Sequence, residues 1–204
     1  MKSKKSEQAF ATRDRLLKSA LKIFSKKGFA SASIREIVED SRTTLPSIYY
    51  HFGNKEGLYQ ALMREHFSVF ESLMKEFKQT GSAREKIKSF ISSLYLYMVE
   101  NVEFVRLMRI VSYVSYGPPE SSPPSDFGTY RQKSQDFLTA KIEDGIKSGE
   151  FRPGNVDDMT WALHGTIQAA AEEICFNLSG GFNPKRLERV LDIILDGFSA
   201  EKRS

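Results

Sequence analysis

A short run of polar and aromatic residues in the first quarter of the chain has the composition of a surface that contacts nucleic acid. Ser47, Tyr49, Tyr50 and His51 bring three hydroxyl groups and an imidazole ring into five consecutive positions. Such groups hydrogen-bond to phosphate oxygens and to the edges of bases. The alternative is structural, with Tyr49 as a core aromatic and His51 as a residue that closes a helix. The run predicts a DNA-contacting segment, provided that it is helical and exposed.

The neighbouring residues predict that this run is one short helix. Thr44 can cap its amino-terminal end, and Pro46 falls in the first turn, where no backbone donor is lost. Ile48 and Phe52 are four residues apart, so both point to one side of the helix, towards a small core. Gly53 ends the helix, which leaves most of the polar groups outside that core.

Two further helices must hold this helix in place. An apolar stripe from Leu16 to Phe24 predicts the first, with Gly28 as its carboxyl-terminal cap. Ser33 and Glu36 form a capping box that opens the second, and a polar break separates it from the third. Three short helices, the last two joined by a tight turn, match the plan of a helix-turn-helix, which lays its third helix in the major groove.

The distribution of charge agrees with a polyanionic partner at this end of the chain. Residues 1–55 hold 12 Lys and Arg against 5 Asp and Glu, whereas the remainder holds 18 against 21. A basic end on an otherwise mildly acidic chain is typical of nucleic-acid-binding proteins. A solvated basic tail is the alternative, because three of these charges belong to Lys2, Lys4 and Lys5.

The segment from Thr12 to Leu62 resembles the DNA-binding domain of the TetR/AcrR family of bacterial regulators. The resemblance rests on residues 12–24, on Gly28, on residues 33–38 and above all on residues 48–58, which read IYYHFGNKEGL. It implies an all-helical homodimer with two helix-turn-helix heads in adjacent major grooves of a palindromic operator. It also implies a carboxyl-terminal domain that binds an inducer.

The resemblance further implies roles for individual residues. It places one set on phosphates, namely Tyr49, Tyr50, His51, Lys55, Thr12, Ser33 and Arg35, and a second set near base edges or the flanking backbone, namely Thr44, Leu45, Pro46 and Ser47. Arg42 departs from the family pattern, because a glycine is usual at this position of the turn. The left-handed conformation costs a non-glycine residue about 1 kcal/mol. We therefore expect either a reshaped turn or an arginine that itself reaches a phosphate.

Beyond Lys55 the apolar residues continue to recur at helical spacing, which predicts an all-α protein of about nine helices. Ser82 and Glu85 form a second capping box, and Asn183 with Pro184 opens the last helix. We expect two domains. Residues 1–54 form the helix-turn-helix DNA-binding domain, and residues 55–204 form a larger helical domain for ligand binding and dimerisation.

Aromatic, methionine and histidine side chains of the larger domain are candidates to line a pocket for a small apolar or aromatic effector. Stripes of this kind are more often plain core, and that alternative stays open. The candidates are Phe67, Phe70, Met74, Phe90, Tyr97, Phe104, Met108, Tyr113, Trp161 and His164.

The last two helices are the expected dimer interface. The earlier of the two contains an uncharged run from Met159 to Ala171, which predicts burial on more than one face. Two such helices from each subunit can pack as a four-helix arrangement with two-fold symmetry. Alternatively, these helices only close the core of the monomer.

Several function classes are not supported by the sequence. The three histidines are scattered and no Gly-rich phosphate loop occurs, so we expect neither an enzyme nor a cofactor or metal site. The longest charge-free run has 13 residues, short of the roughly 20 that a membrane span needs. A single cysteine fits a reducing cytoplasm.

The predicted function is a DNA-binding repressor that is released by an effector. The alternative is a DNA-binding regulator without small-molecule input, controlled by a protein partner or by its own abundance.

Overall fold

The computed structural model describes residues 4–76, 81–114, 127–176 and 183–200. These residues form nine α-helices, which are α1 (Lys4–Ser31), α2 (Ile34–Ser41), α3 (Leu45–Phe52), α4 (Lys55–Glu76), α5 (Ala83–Glu100), α6 (Val102–Val114), α7 (Phe127–Lys147), α8 (Val156–Phe176) and α9 (Pro184–Phe198). Outside the helices, Phe151 and Ser199 form an isolated antiparallel bridge. The predicted all-α fold with about nine helices is confirmed.

Most helices begin where the local sequence predicts. Ser33 and Ser82 each accept a hydrogen bond from the backbone N–H three residues later, and the glutamate at that position reaches back to the cap. Asn54 accepts from the N–H of Gly57 at 2.7 Å, and Asn183 accepts from the N–H of Arg186 at 3.0 Å. These bonds satisfy amide donors that a helix start leaves without a partner.

The end of α1 differs in detail from the expectation. Gly28 has φ 74° and ψ 170°, which interrupts the helical geometry, but the helix resumes and ends at Ser31. Gly28 is therefore a kink inside α1 rather than its last capping residue. Only glycine adopts such backbone angles at little cost.

The chain divides into two compact units. The first comprises Met1–Ser68 with Glu103–Phe127, and the second comprises Val69–Val102 with Gly128–Ser204. The boundary between the units thus falls inside α4, after Ser68, and the first unit also contains α6 from Glu103 onwards. The sequence instead predicts a functional division at residue 54. The core of the first unit includes fully buried side chains from four helices, namely Leu16, Phe24, Ile37, Ile48, Leu58 and Tyr59.

In the second unit, the segment after α7 is tied to the ends of two helices. The Glu150 carboxylate accepts the backbone N–H of Ala83 at 2.8 Å and that of Arg84 at 3.0 Å, at the start of α5. Arg152 donates to the carbonyl oxygens of Gly197 and Phe198, at the end of α9. The negative Glu150 thus lies at the amino-terminal end of α5 and the positive Arg152 at the carboxyl-terminal end of α9, which is the arrangement that helix dipoles favour.

The second unit also contains an ionic cluster between α5 and α9. Arg84 contacts the carboxylates of Asp192 at 2.9 Å and Asp196 at 2.7 Å, and Lys88 contacts Asp192 at 2.7 Å.

Among the described helices, none is both long and apolar enough to cross a membrane.

Candidate nucleic-acid interface

The third helix, α3, has one buried and one exposed side. Ile48 is fully buried, whereas Leu45, Tyr49 and Tyr50 are 40%, 53% and 82% exposed. A large apolar or aromatic side chain gains little by lying in water, so three of them on one short helix indicate a contact surface. Tyr49 is therefore not the buried core aromatic of the structural alternative.

The turn before α3 keeps the left-handed geometry despite its arginine. Arg42 has φ 51° and ψ 46°, and it is the one non-glycine residue with positive φ in the described part of the chain. The backbone N–H groups of Arg42 and Thr43 donate to the carbonyl oxygens of Glu39 and Val38, both at 3.1 Å. Of the two outcomes considered from the sequence, the turn is not reshaped, and the Arg42 side chain is exposed at its apex.

Thr44 occupies the amino-terminal cap position of α3 but does not cap it with its side chain. Instead its hydroxyl lies 2.9 Å from the hydroxyl of Ser47. The sequence-based prediction of a side-chain cap is wrong here, because the two hydroxyls bond to each other. The pair is exposed, and Pro46, also exposed, lies beside it.

His51 is half-buried at the end of α3. Burial, assisted by the nearby Arg13 guanidinium, holds the pKa of the imidazole below its usual value of 6.5. Its ring lies edge-on to Tyr50 at 4.9 Å between centroids and is tilted against Phe52 at 5.9 Å. At neutral pH the ring therefore offers a neutral N–H donor rather than a positive charge.

The start of α4 is held close to the end of α3. A Cβ added to Gly57 would lie 2.0 Å from the Phe52 carbonyl oxygen, so only glycine fits there. Lys55 donates to the carbonyl oxygen of Ala30 at 3.3 Å, and its ammonium lies 4.5 Å from the centroid of the Phe29 ring. The lysine predicted to contact phosphate is thus also attached to its own chain.

The remaining predicted phosphate contacts lie on α1 and at the start of α2. Thr12 donates to the Gln8 carbonyl oxygen at 2.9 Å, and Arg35 is exposed. The Ser33 hydroxyl is engaged in the capping box with Glu36. Hydrogen bonds from Lys27 and from Ser33 lower the pKa of the Glu36 carboxyl to about 2. This box stays charged, and hence intact, at neutral pH.

Comparison with known proteins identifies the amino-terminal domain. Residues 16–62 match the family model for bacterial regulatory proteins of the tetR family. The repressor NicS of Pseudomonas putida is 29% identical over 105 residues, which are 51% of this chain and only 50% of that protein. Residues 16–62 therefore form a domain of the tetR family. The curated relative and the structural neighbours are named transcriptional regulators.

Solved structures of other regulators share the fold of this chain. KstR2 of Mycobacterium tuberculosis, a ketosteroid transcriptional regulator, has a TM-score of 0.75 at 18% identity and covers 93% of this chain and 95% of its own. FadR of Bacillus subtilis, in complex with stearoyl-CoA, has a TM-score of 0.69 at 18% identity and covers 90% and 98%. Members of the family bind operator DNA, act as dimers and bind small-molecule effectors.

The predicted effector-binding residues fall into both units. Phe67 and Phe104 pack edge-to-face at 5.7 Å in the first unit, where His66 stacks on Phe104 at 4.1 Å. Phe70 packs against Phe90 at 5.9 Å in the second. Of the others, Met74 is buried in the second unit, Met108 is half-buried in the first, Tyr97 and His164 are half-buried in the second, and the side chain of Tyr113 lies outside the described residues.

One of these predictions is wrong. Trp161 is 78% exposed on the outer face of α8, so it does not line an interior pocket of the protomer. Two pockets lined by described residues occur in the second unit, one between α5, α8 and α9 and one beside the segment 152–159. None of the predicted effector residues lines either pocket. In the described ranges no group of three or more His, Cys, Asp and Glu side chains is placed to hold a metal ion.

Sequence reasoning missed the residues that hold the interface together. Phe29 receives the Lys55 ammonium, and Arg13 lies 5.7 Å from the centroid of the Phe52 ring. Each of these pairs is separated by more than 25 residues along the chain, so no local pattern could have indicated it. Gly57 carried a signal only as part of the family motif.

Proposed function

We propose that this protein is a repressor that binds a palindromic operator through two copies of α3 and is released by a small apolar or aromatic molecule. The observation that carries the proposal is the two-sided character of α3. Ile48 anchors the helix, while Leu45, Tyr49 and Tyr50 lie exposed in a basic segment of the chain. A helix of this kind is suited to the major groove of B-DNA, which is about 12 Å wide.

Different residues of the surface have different tasks in this proposal. Thr44, Leu45, Pro46 and Ser47 lie at the start of α3, where a recognition helix contacts base edges. Tyr49, Tyr50, His51 and Lys55 bind phosphates, and so do Thr12, Ser33, Arg35 and Arg42. Phosphate contacts position the protein, and base contacts select the sequence. His51 acts as a neutral donor because its pKa is lowered.

The names of the relatives support the proposed sign of regulation and the proposed class of effector. NicS is named a repressor, and the FadR structure contains stearoyl-CoA, which carries a long apolar acyl chain. We propose a repressor whose effector shifts the equilibrium between two conformations by about 1–3 kcal/mol, which changes operator affinity 5- to 150-fold. We propose that the effector contacts Phe70, Phe90 and their neighbours in the predicted set.

Dimerisation is proposed to use α8 and α9. Both helices carry large exposed apolar side chains, with Trp161, Phe176 and Ile193 exposed by 78%, 63% and 72%. The inner side of α9 is closed by Leu187, Leu191 and Leu195, so its outer side is left for a partner. Two-fold symmetry of the protein then requires a symmetric operator.

Selection of bound sequences from random DNA duplexes tests the proposal. We expect a two-fold symmetric site whose half-sites lie about one helical turn, or a multiple of it, apart. Leu45→Ala and Ser47→Ala should change the preferred bases within each half-site, because these residues lie at the start of α3. Lys147→Ala, on the exposed surface of α7, serves as the control and should leave the selected site unchanged. An asymmetric site, or no enriched site, would contradict the proposal.

A second candidate is a DNA-binding regulator with no small-molecule input, controlled by a protein partner or by abundance. The ring contacts favour it, because Phe67 with Phe104 and Phe70 with Phe90 are packed on each other as core residues are. Thermal unfolding with and without acyl-CoA or steroid compounds distinguishes the two. A ligand that binds only the folded state raises the melting temperature, by mass action. Unchanged melting with every apolar compound supports the second candidate.

A further inference from the structure

The outer face of α8 carries both large aromatic side chains and residues with little or no side chain. Trp161, Gly165, Ala169 and Phe176 recur at the spacing of one helix face, which they share with the polar Gln168 and Glu172, and all six residues are exposed. The two aromatic members are 78% and 63% exposed. Exposed apolar side chains aligned along one helix mark a surface that binds a partner.

A groove lies beside this face, between α8 and α9, with Tyr95 of α5 at its floor. Its volume is about 300 Å³. The α9 side is lined by Leu187 and Val190. The α8 side is lined by Thr166 and Glu173 and by four residues with little or no side chain, namely Ala162, Gly165, Ala169 and Ala170. A Cβ placed on Gly165 would meet nothing within 4 Å, so this position is open to the outside.

One end of the groove is lined by charged groups that already pair with each other. Arg186 of α9 pairs with Glu173 of α8 at 3.0 Å. The rest of the lining is largely apolar, so the groove suits an aromatic side chain better than a charged one. A flat ring that enters it would contact the small residues of α8 on one side and Leu187 and Val190 on the other.

We propose that in the dimer each Trp161 inserts into the α8–α9 groove of the other copy. The inference rests on the proposed dimerisation through α8 and α9. A two-fold interface pairs each patch with the same patch of the second copy, so a protrusion and a recess on one face can fill each other reciprocally. This reciprocity favours a second copy of the chain over an unrelated partner.

The geometry of α8 fits this arrangement. If two antiparallel α8 helices cross at Gly165, residue 161 of one copy lies opposite residue 169 of the other. Both lie four residues from the crossing, which is about 6 Å along the helix axis. Glycine at the crossing allows close approach of the backbones, and Ala169 leaves room for the indole. A buried tryptophan at the centre of an interface commonly dominates its affinity.

Tryptophan fluorescence tests the inference directly, because Trp161 is the only tryptophan in the chain. In the dimer we expect blue-shifted emission and protection from acrylamide, and both should be lost on dilution to the monomer. Trp161→Ala should weaken dimerisation by at least about 30-fold, as for a hot-spot residue. Trp161→Phe should recover part of that loss.

A variant that fills the groove gives an independent test. Gly165→Leu places a side chain in the recess, while the open space at this position leaves the protomer fold intact. Its matched control is Gly128→Leu on α7, where a Cβ also meets nothing within 4 Å. We expect sedimentation velocity to show a monomer for Gly165→Leu and a dimer for Gly128→Leu, with unchanged circular dichroism for both.

The outcomes separate this inference from the proposed dimer itself. A stable dimer in which Trp161 stays accessible to acrylamide, or in which Gly165→Leu dimerises normally, overturns the inference and leaves the dimer standing. A wild-type protein that is monomeric at every concentration overturns both.

Discussion

The ammonium of Lys55 lies 4.5 Å from the centroid of the Phe29 ring, between the last turn of α1 and the first turn of α4. Phe29 in turn packs edge-to-face against Tyr59 at 5.0 Å, and Tyr59 does so against Phe24 at 5.6 Å. Phe29 directly follows the kink at Gly28. A cation at the carboxyl end of one helix, over an aromatic face, is held favourably by both. Lys55 therefore tethers α4 to α1 in addition to any contact with DNA.

Replacement of Lys55 by alanine measures both roles. Loss of one phosphate contact should weaken binding to specific and random duplexes alike and lower the slope of log affinity against log salt concentration by about 1. Loss of the cation–π contact should lower the free energy of unfolding by about 0.5–1 kcal/mol. Binding titrations over a salt series and urea unfolding provide these numbers, with Lys147→Ala as the control. A lower stability with an unchanged salt slope would assign Lys55 to the tether alone.

Arg42 is predicted to reduce stability while it increases DNA affinity. Arg42→Gly should raise the free energy of unfolding by about 1 kcal/mol, because glycine adopts the left-handed conformation at φ 51° without strain. The same change should weaken binding to any duplex and lower the salt slope by about 1, through loss of a charge near phosphate.

Arg42→Asn separates the two effects, since asparagine tolerates the left-handed region but carries no charge. It should resemble the glycine variant in DNA binding and lie between it and the wild type in stability. Chemical unfolding and fluorescence anisotropy on a random duplex provide the measurements. If both variants bind DNA as the wild type does, Arg42 does not contact phosphate.

Gly145 is predicted to be essential for the second unit. A Cβ at this position would lie 2.3 Å from one atom of the Phe151 ring and 3.0 Å from the Ala83 Cβ. Since Phe151 is buried and cannot move aside freely, Gly145→Ala should cost about 1–3 kcal/mol of unfolding free energy. Gly128→Ala, which meets nothing, should cost nothing. Equal thermal stability of the two variants would show that the packing around Phe151 is looser than described.

His66 should make stability depend on pH. Burial lowers the pKa of its imidazole to about 4, from 6.5 in the unfolded chain. The unfolded state therefore binds more protons between these values, so the contribution is fully present above pH 6.5 and is lost as pH falls towards 4. It amounts to at most about 3 kcal/mol.

The variant His66→Phe keeps a ring against Phe104 and removes the titration. Between pH 7.5 and pH 5 its free energy of unfolding should fall less steeply than that of the wild type. The two slopes of unfolding free energy against pH are compared, rather than the absolute stabilities, because the contribution of carboxylates that titrate in both proteins then cancels. Parallel profiles would mean that His66 is more accessible to water than its position beside Phe104 indicates.

The elements that the sequence predicted correctly depend on neighbouring residues. The caps at Ser33, Ser82 and Asn183 each involve an atom within three residues, so the local pattern contains the whole interaction. Thr44 has the same pattern but a different outcome, because the Ser47 hydroxyl competes for its side chain. Hydroxyl groups satisfy one another as readily as they satisfy backbone amides.

Interactions between distant residues were not predictable in this way. Glu150 caps the start of α5 from more than 60 residues away, and Phe29 lies beside Lys55 only after α1 and α4 have packed. The uncharged run in α8 indicated burial on several faces, yet Trp161 is exposed in the protomer. A lack of charge shows that a surface avoids water, but not whether its own chain or a second copy covers it.

The interaction of α3 with DNA is tested most directly by equilibrium binding of the purified protein to duplex DNA between 50 and 200 mM salt, with Tyr50→Ala for comparison. Tyr50 is 82% exposed, so this variant should fold normally. We expect wild-type affinity to fall steeply with salt, by orders of magnitude if a dimer contacts about 6–10 phosphates, and Tyr50→Ala to bind more weakly at every concentration. An absence of salt-sensitive affinity for any duplex would contradict the assignment of α3 as a DNA-binding helix.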